Sequence, residues 1–386
     1  MFIIICIVAS CNNKTNISSY EDDLKLIKEH TNFVELTSNE GKSRLIICPK
    51  YQGKIITSTY HGMAGKSNGW LNRNAINKQN PTGKGVGGED RIWIGPLGGQ
   101  FSFYYQQIKP LDEKNWQVPS TLEDMTFNEL SKTSTQVLLE GNVQLTNFKG
   151  TTFNLNIKRN ISILNKSNIE ENLKFKLNPT VDFVAYNSSH TLKNIDSVSW
   201  KKETGLASIW SAGMFKGRDS TTVIIPLKNN GSISNVFKYM GPLNTKRLYI
   251  KNKTLLYRAD GKYRSKIGVP HKFAPEIYGC YSKDQQRLTI IQYRKTNDSL
   301  YFNSNVFVQK NPYQGEVIPI YNHGTMDYSA TDDISFFELE STSAMKVLHP
   351  NETITHFHRV YHFSGSFNEL NHISEKLLNF NLNEIK

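Results

Sequence analysis

Past residue 33, apolar and polar positions alternate in short runs, the mark of strands with one buried face. Phe33 to Leu36, Arg44 to Cys48 and Lys54 to Tyr60 read as strands separated by turn-forming Ser, Asn, Pro and Gly. Thr135 to Leu145 and Thr151 to Leu164 predict a hairpin around Asn147-Phe148-Lys149-Gly150. Thr221 to Leu227, Arg247 to Tyr257, Arg287 to Tyr293, Leu300 to Val308, Ile334 to Leu339 and Thr353 to Phe363 continue the pattern. Two stretches break it. Ser19 with Asp22 starts a short helix over Leu24 and Ile27, and Ser366-Phe367-Asn368-Glu369 is a second capping box. After it Leu370, Ile373, Leu377 and Phe380 recur at helical spacing, which predicts an amphipathic terminal helix packed on the sheets. Many strands with little helix predict an all-β, large antiparallel sandwich.

The first residues bear on location. Phe2 to Val8 is a short apolar run that ends in Val8-Ala9-Ser10-Cys11. It falls short of the ~20 apolar residues a membrane-crossing helix needs. A small-residue pair before a cysteine reads as the processing site of a bacterial lipoprotein. On that reading residues 1–10 are a signal peptide, Cys11 carries the lipid, 11–18 is a polar tether and 19–386 is the folded domain. The expected location is the cell envelope, periplasm or outer membrane, with a monomeric body. With Cys6 removed and Cys11 lipidated, Cys48 and Cys280 are left as one disulfide or two buried thiols. No Cys/His spacing suits zinc, and neither metal nor cofactor is expected.

The formal charge is +12. Lys246 to Lys272 holds nine basic residues against Asp260, a net +8. That stretch is either a solvated face or an attraction for an anionic glycan or membrane surface. Nucleic acid is not an expected partner, because no nucleic-acid motif is present.

Candidate chemistry concentrates in two places. Glu89-Asp90-Arg91-Ile92-Trp93, running on to Gln100 and Tyr105, combines acids, an amide, a guanidinium and flat aromatic faces in a glycine-rich span. Such groups either share hydroxyl protons and stack on the C–H face of a sugar, or form a glycine-rich bend between two strands with ordinary core aromatics. Near the C-terminus Glu338 and Glu340 fall on one face of a strand. Two neighbouring carboxyls raise each other's proton affinity, which suits acid–base work. His356 and His358 share a face of the next strand and, lacking a third ligand, read as a satisfied or exposed pair. Asp332-Asp333 reads as a turn.

The order of these segments resembles the galactose-mutarotase-like (aldose 1-epimerase-like) superfamily, in an uncharacterised branch of secreted bacterial lipoproteins. The resemblance is carried by Gly87 to Pro96, Trp200 to Gly205, Ala259 to Gly268, Phe337 to Ser341 and His358 to Gly365. It implies a large antiparallel β-supersandwich with a short N-terminal and an amphipathic C-terminal helix. It also implies that Glu340, in Leu339-Glu340-Ser341, takes the position of the base, with Glu338 beside it. His190, in Tyr186-Asn187-Ser188-Ser189-His190, is the nearest counterpart of the acid. Glu89, Arg91, Trp93, Gln100, Tyr105, Glu203, Trp210 and Arg264 are the expected sugar-binding residues. The expected ligand is a mono- or oligosaccharide, neutral or anionic. Two functions follow: acid–base chemistry on a sugar, or non-catalytic capture of polysaccharide fragments. The discriminating geometry is whether the early bend and the late glutamates share one hollow.

Overall fold

In the computed structural model, which describes residues 18–78, 83–325 and 335–385, nineteen strands carry the chain. The expected signal (1–10), the expected tether up to residue 17 and Asp332-Asp333 lie outside the described residues. The early strands are β1 (Val34–Ser38), β2 (Ser43–Cys48), β3 (Lys54–Thr59) and β4 (Arg91–Gly95). Then come β5 (Asn128–Lys132), β6 (Gln136–Thr146), β7 (Thr152–Ile163), β8 (Asp182–Asn194), β9 (Ser208–Lys216) and β10 (Thr221–Pro226). The middle is made of β11 (Phe237–Met240), β12 (Leu248–Lys251), β13 (Thr254–Arg258), β14 (Ser265–Pro270), β15 (Ile277–Ser282) and β16 (Arg287–Tyr293). The chain closes with β17 (Glu316–Asn322), β18 (Phe336–Thr342) and β19 (Thr353–Ser364).

Pairing is antiparallel throughout these strands. It makes a ten-stranded sheet (order β12-β13-β10-β15-β16-β19-β8-β7-β6-β5), a six-stranded sheet (β11-β14-β17-β18-β9-β4) and a small sheet of β1 to β3. The two large sheets face each other across the main core. Alternation decides which side chains enter it: Val143 and Leu145 of β6, Leu155 and Ile157 of β7, and Phe337 and Leu339 of β18 all point inward. This is a large antiparallel β-sandwich of the expected class.

The helices cover the sheets. α1 (Tyr20–His30) starts at the Ser19/Asp22 capping box and seats Leu26 and Ile27 on the small sheet. α4 (Lys166–Leu173) and α5 (Phe367–Leu378) cover the outer face of the ten-stranded sheet, between the short α2 (Arg73–Asn77) and α3 (Ser120–Glu123) and the C-terminus in chain order. α5 begins at the Ser366/Glu369 box. It buries Leu370, Ile373 and Leu378, each worth about 1.5–3 kcal/mol.

Two strand expectations change. Arg247 to Tyr257 divides into β12 and β13, because Asn252 and Lys253 both take positive φ and turn the chain back as a hairpin. Leu300 to Val308 is irregular apart from a bridge between Tyr301 and Gln314. There the Asn303 and Asn305 side chains bond backbone N–H groups two residues on, which competes with a strand ladder. Cys48 and Cys280 are buried free thiols, so the disulfide alternative is closed.

Candidate functional site

Register in the six-stranded sheet writes the site as cross-strand rows. Met240, Lys266, Tyr321, Glu338 and Met214 pair in turn across β11, β14, β17, β18 and β9. Glu340, Ala212 and Arg91 form the next row, and Thr342, Trp210 and Trp93 the third. All lie on the face of this sheet opposite to Phe337 and Leu339. On the core side, Ser341 places its hydroxyl 2.8 Å from both His356 Nε2 and His358 Nδ1.

Above these rows is a cavity of about 310 Å³, at the small end of the ~300–1,000 Å³ of small-molecule sites. Three indoles line it. Trp93 stacks on Trp116 at 5.9 Å and meets Trp210 edge-on at 4.9 Å. The Arg91 guanidinium covers the Trp93 ring at 4.3 Å and bonds Glu338 Oε1 at 2.5 Å. Lys266 Nζ bonds both oxygens of Glu340 at 3.0 Å, while Trp210 Nε1 donates to Glu340 Oε2 at 2.7 Å. Arg264 and Glu113 pair at 3.5 Å on the rim. Arg91 Nε and Arg264 Nε are buried without a partner, so each guanidinium keeps one unused donor.

Burial sets the protonation pattern. Desolvation pushes Glu340 up to about 7, and Glu338 adds to this, while the Lys266 ammonium and its hydrogen bonds pull the other way. His323, at the end of β17, stacks on Phe336 at 4.4 Å and lies 3.1 Å from the Tyr321 hydroxyl. Burial lowers its pKa against the pull of Glu338. The cavity wall thus carries a neutral imidazole and a paired carboxylate, a set able to donate and accept protons toward hydroxyls.

Arg91, Trp93, Trp210, Arg264 and Glu338 from the expected set meet in this cavity. Glu340 lies one layer below, fully buried beneath Lys266 and Trp210. The other expected residues lie elsewhere, and these are corrections. His190 is buried on the inner face of β8, in the main core, on the other side of the six-stranded sheet from Glu340. Alternation from Leu192 forces it inward. Glu89 is fully buried and holds β3: Ser58 donates from its backbone N–H and hydroxyl, Thr57 from its hydroxyl, and His362 Nε2 lies 3.2 Å away. Gln100 ties a loop, exchanging hydrogen bonds with the backbone of Gln309. Tyr105 lines a separate cleft with Gln106 and Gln117. Glu203 is exposed, and its carbonyl accepts from Lys149.

Lys266, Tyr321, His323, Glu113 and Trp116 were missed. For Lys266 the signal was available, because Arg264 and Lys266 are two apart beside buried Ile267 and so share a face. Trp116 sits in an irregular segment where spacing carries no information.

The basic stretch is largely neutralised. Arg247 pairs with Asp260, Arg258 with Asp219 and Asp260, Lys262 with Asp219, and Lys251 with Glu384. Among the described residues no group of three or more His, Cys, Asp or Glu could hold a metal ion, and no helix is long and apolar enough to cross a membrane.

The fold is a galactose-mutarotase-like β-sandwich. The chain belongs to the DUF6786 family, a family of unknown function, whose model matches residues 18–386. No curated protein matches its sequence. Among solved structures it resembles a candidate aldose 1-epimerase from Escherichia coli, at 9% identity and TM-score 0.53 over 86% of this chain and 98% of that one. It also resembles the Slr1438 protein of Synechocystis, at 11% identity and TM-score 0.52 over 87% and 96%. A galactose mutarotase related enzyme from Lactobacillus acidophilus matches at 8% identity and TM-score 0.50 over 87% and 98%. At these identities the likeness establishes the fold.

Proposed function

We propose that the cavity over β4, β9 and β18 binds a carbohydrate. The observation that carries this reading is the convergence of three indoles and the Arg91–Glu338 pair in one hollow of about 310 Å³. An indole face packs on a sugar's C–H side, while a guanidinium and a carboxylate divide the acceptor and donor roles of its hydroxyls. Binding ranks ahead of turnover because Glu340, the expected base, lies under Lys266 and Trp210 rather than on the cavity wall. The test is titration calorimetry with a panel of mono- and oligosaccharides against wild type and Trp116→Ala. Trp116 is partly exposed and packs on Trp93 and Tyr104 at the edge of the core, so thermal melting checks that the variant folds. The expected loss is about tenfold in Kd, or ~1.4 kcal/mol. No heat from any sugar with wild type refutes the reading.

Proton transfer at a sugar hydroxyl is the second reading. It is supported by Glu340 held at about 7, near the pKa that suits a base at neutral pH, and by neutral His323 at the cavity. Anomer interconversion followed by NMR tests it. Glu340→Gln should abolish exchange with sugar binding largely retained, and absence of exchange by wild type removes this reading alone. We also propose lipid attachment at Cys11, in the envelope. Radiolabelled palmitate should enter the wild type and not Cys11→Ala.

A further inference from the structure

Beyond Arg91 and Trp93 lies a second cavity of about 260 Å³, which shares Met214, His323 and Phe336 with the first. Its own lining includes Lys54, Trp70 and Glu123. Gly87 keeps the wall thin there: a Cβ would come within 2.3 Å of the Trp70 carbonyl oxygen and 2.8 Å of its ring, and φ is +94°.

Charges in the first cavity are matched, Arg91 with Glu338, Lys266 with Glu340 and Arg264 with Glu113. The second breaks that rule. Lys54, on β3, is 4% exposed, and its ammonium donates to the Gly83 carbonyl at 2.9 Å with no carboxylate in ion-pair range among the described residues. The charged and titratable groups around it are already engaged or neutral. Arg91 is held by Glu338, Arg159 by Asp90, and Glu123 by Lys84, while burial pushes the Cys48 thiol up and leaves it uncharged. An ammonium buried without an anion costs several kcal/mol, which an anionic ligand oxygen would recover. Burial, reinforced by Arg91, accordingly lowers Lys54 to about 7.

We propose that the second cavity is a subsite for an acidic sugar residue, with its carboxylate or sulfate on Lys54 and its ring against Trp70. The ligand is then an acidic oligosaccharide of at least two residues spanning both cavities. This rests on the carbohydrate reading of the first cavity.

The test is calorimetry with matched sets: a neutral disaccharide, its uronate-containing counterpart and its sulfated counterpart. Wild type should bind at least one acidic member about tenfold or more tighter than the neutral one, and the two acidic arms identify which anion is preferred. Lys54→Met should erase the preference while keeping neutral binding, and Lys54→Arg should retain part of it. Thermal melting checks that the variants fold. Should Lys54→Met not fold, a pH series on wild type decides: the acidic member's advantage over the neutral one should shrink between about pH 6 and 8 as Lys54 loses its proton. Equal affinity within the set, a preference that survives Lys54→Met, or a flat pH series overturns the subsite alone. No binding by any sugar overturns the carbohydrate reading and the subsite with it.

Discussion

Lys266→Met isolates the electrostatics of the floor. Lys266 is 4% exposed and Glu340 fully buried, so methionine keeps the stem's packing and removes only the counter-charge. In wild type Glu340 sits at about 7 against an ordinary 4.5. A raised folded-state pKa contributes stability that is fully present below 4.5 and is lost as pH rises through about 7, roughly 3 kcal/mol in all at ~1.36 kcal/mol per unit. The Lys266 charge is the largest influence lowering that pKa, so its removal drives the pKa higher and the variant keeps losing stability where wild type has levelled off. At about pH 5 both proteins hold a protonated Glu340, and the substitution costs the ~1.5–3 kcal/mol of a hydrogen bond to a charged group. At about pH 8.5, some 1.5 units above the wild-type value, the cost should be larger by up to about 2 kcal/mol. Urea unfolding with linear extrapolation at both pH values measures this. A cost that is the same at both refutes the assignment of Lys266 as the counter-ion of a near-neutral Glu340.

Other substitutions test the corrected placements. Glu89→Gln should destabilise by about 1–3 kcal/mol, by mismatching the Ser58 donors, yet leave sugar titration of the folded variant unchanged. Arg159→Met strips Asp90 of its partner at 2.7 Å in a fully buried pair and should cost about 3–5 kcal/mol in denaturant unfolding. Ser366→Ala removes one half of the capping box of α5 and should lower stability by ~1 kcal/mol, with the loss seen as faster amide exchange in that helix. Cys48 and Cys280 should react with a thiol reagent only after denaturation, because both are buried and burial raises both pKa values, Cys280 to about 11.

What alternation and caps determine was legible in the sequence. β16 spans the expected Arg287 to Tyr293, and both capping boxes start helices where expected. These signals are local, a few residues long, and set by backbone hydrogen bonding. The site was half legible for the same reason. Arg91 with Trp93 and Glu338 with Glu340 are pairs two apart on single strands, so each strand announces its own face. Whether a face looks into the core or into a hollow depends on the sheet opposite, and no local pattern carries that. His190 was misassigned on this account. The resemblance supplied it, but it shares a face with Leu192, and that face is the one packed against the six-stranded sheet. Glu89 failed differently. It belongs to the stretch just before β4, where the chain bridges Ile55 to Asp90, and its carboxylate turns back to Ser58 instead of following Arg91 outward.

The pairing of charges around the first cavity bears on what kind of ligand suits it. A free carboxylate or ammonium entering there meets Arg91, Arg264 and Lys266 each already held by an acid, so it gains little and displaces an existing partner. A hydroxyl is different, because it donates and accepts at once. Set between the Arg91 guanidinium and the Glu338 carboxylate, it would accept from the first and donate to the second without leaving either charge unpaired. A row of matched ion pairs beside three indoles therefore favours neutral, hydroxyl-rich rings over ions. The unmatched Lys54 in the adjoining cavity reverses that preference. A neutral ring followed by an acidic one is the ligand order that satisfies both compartments. The same order requires that a glycan with the acid at the opposite end bind more weakly than its isomer.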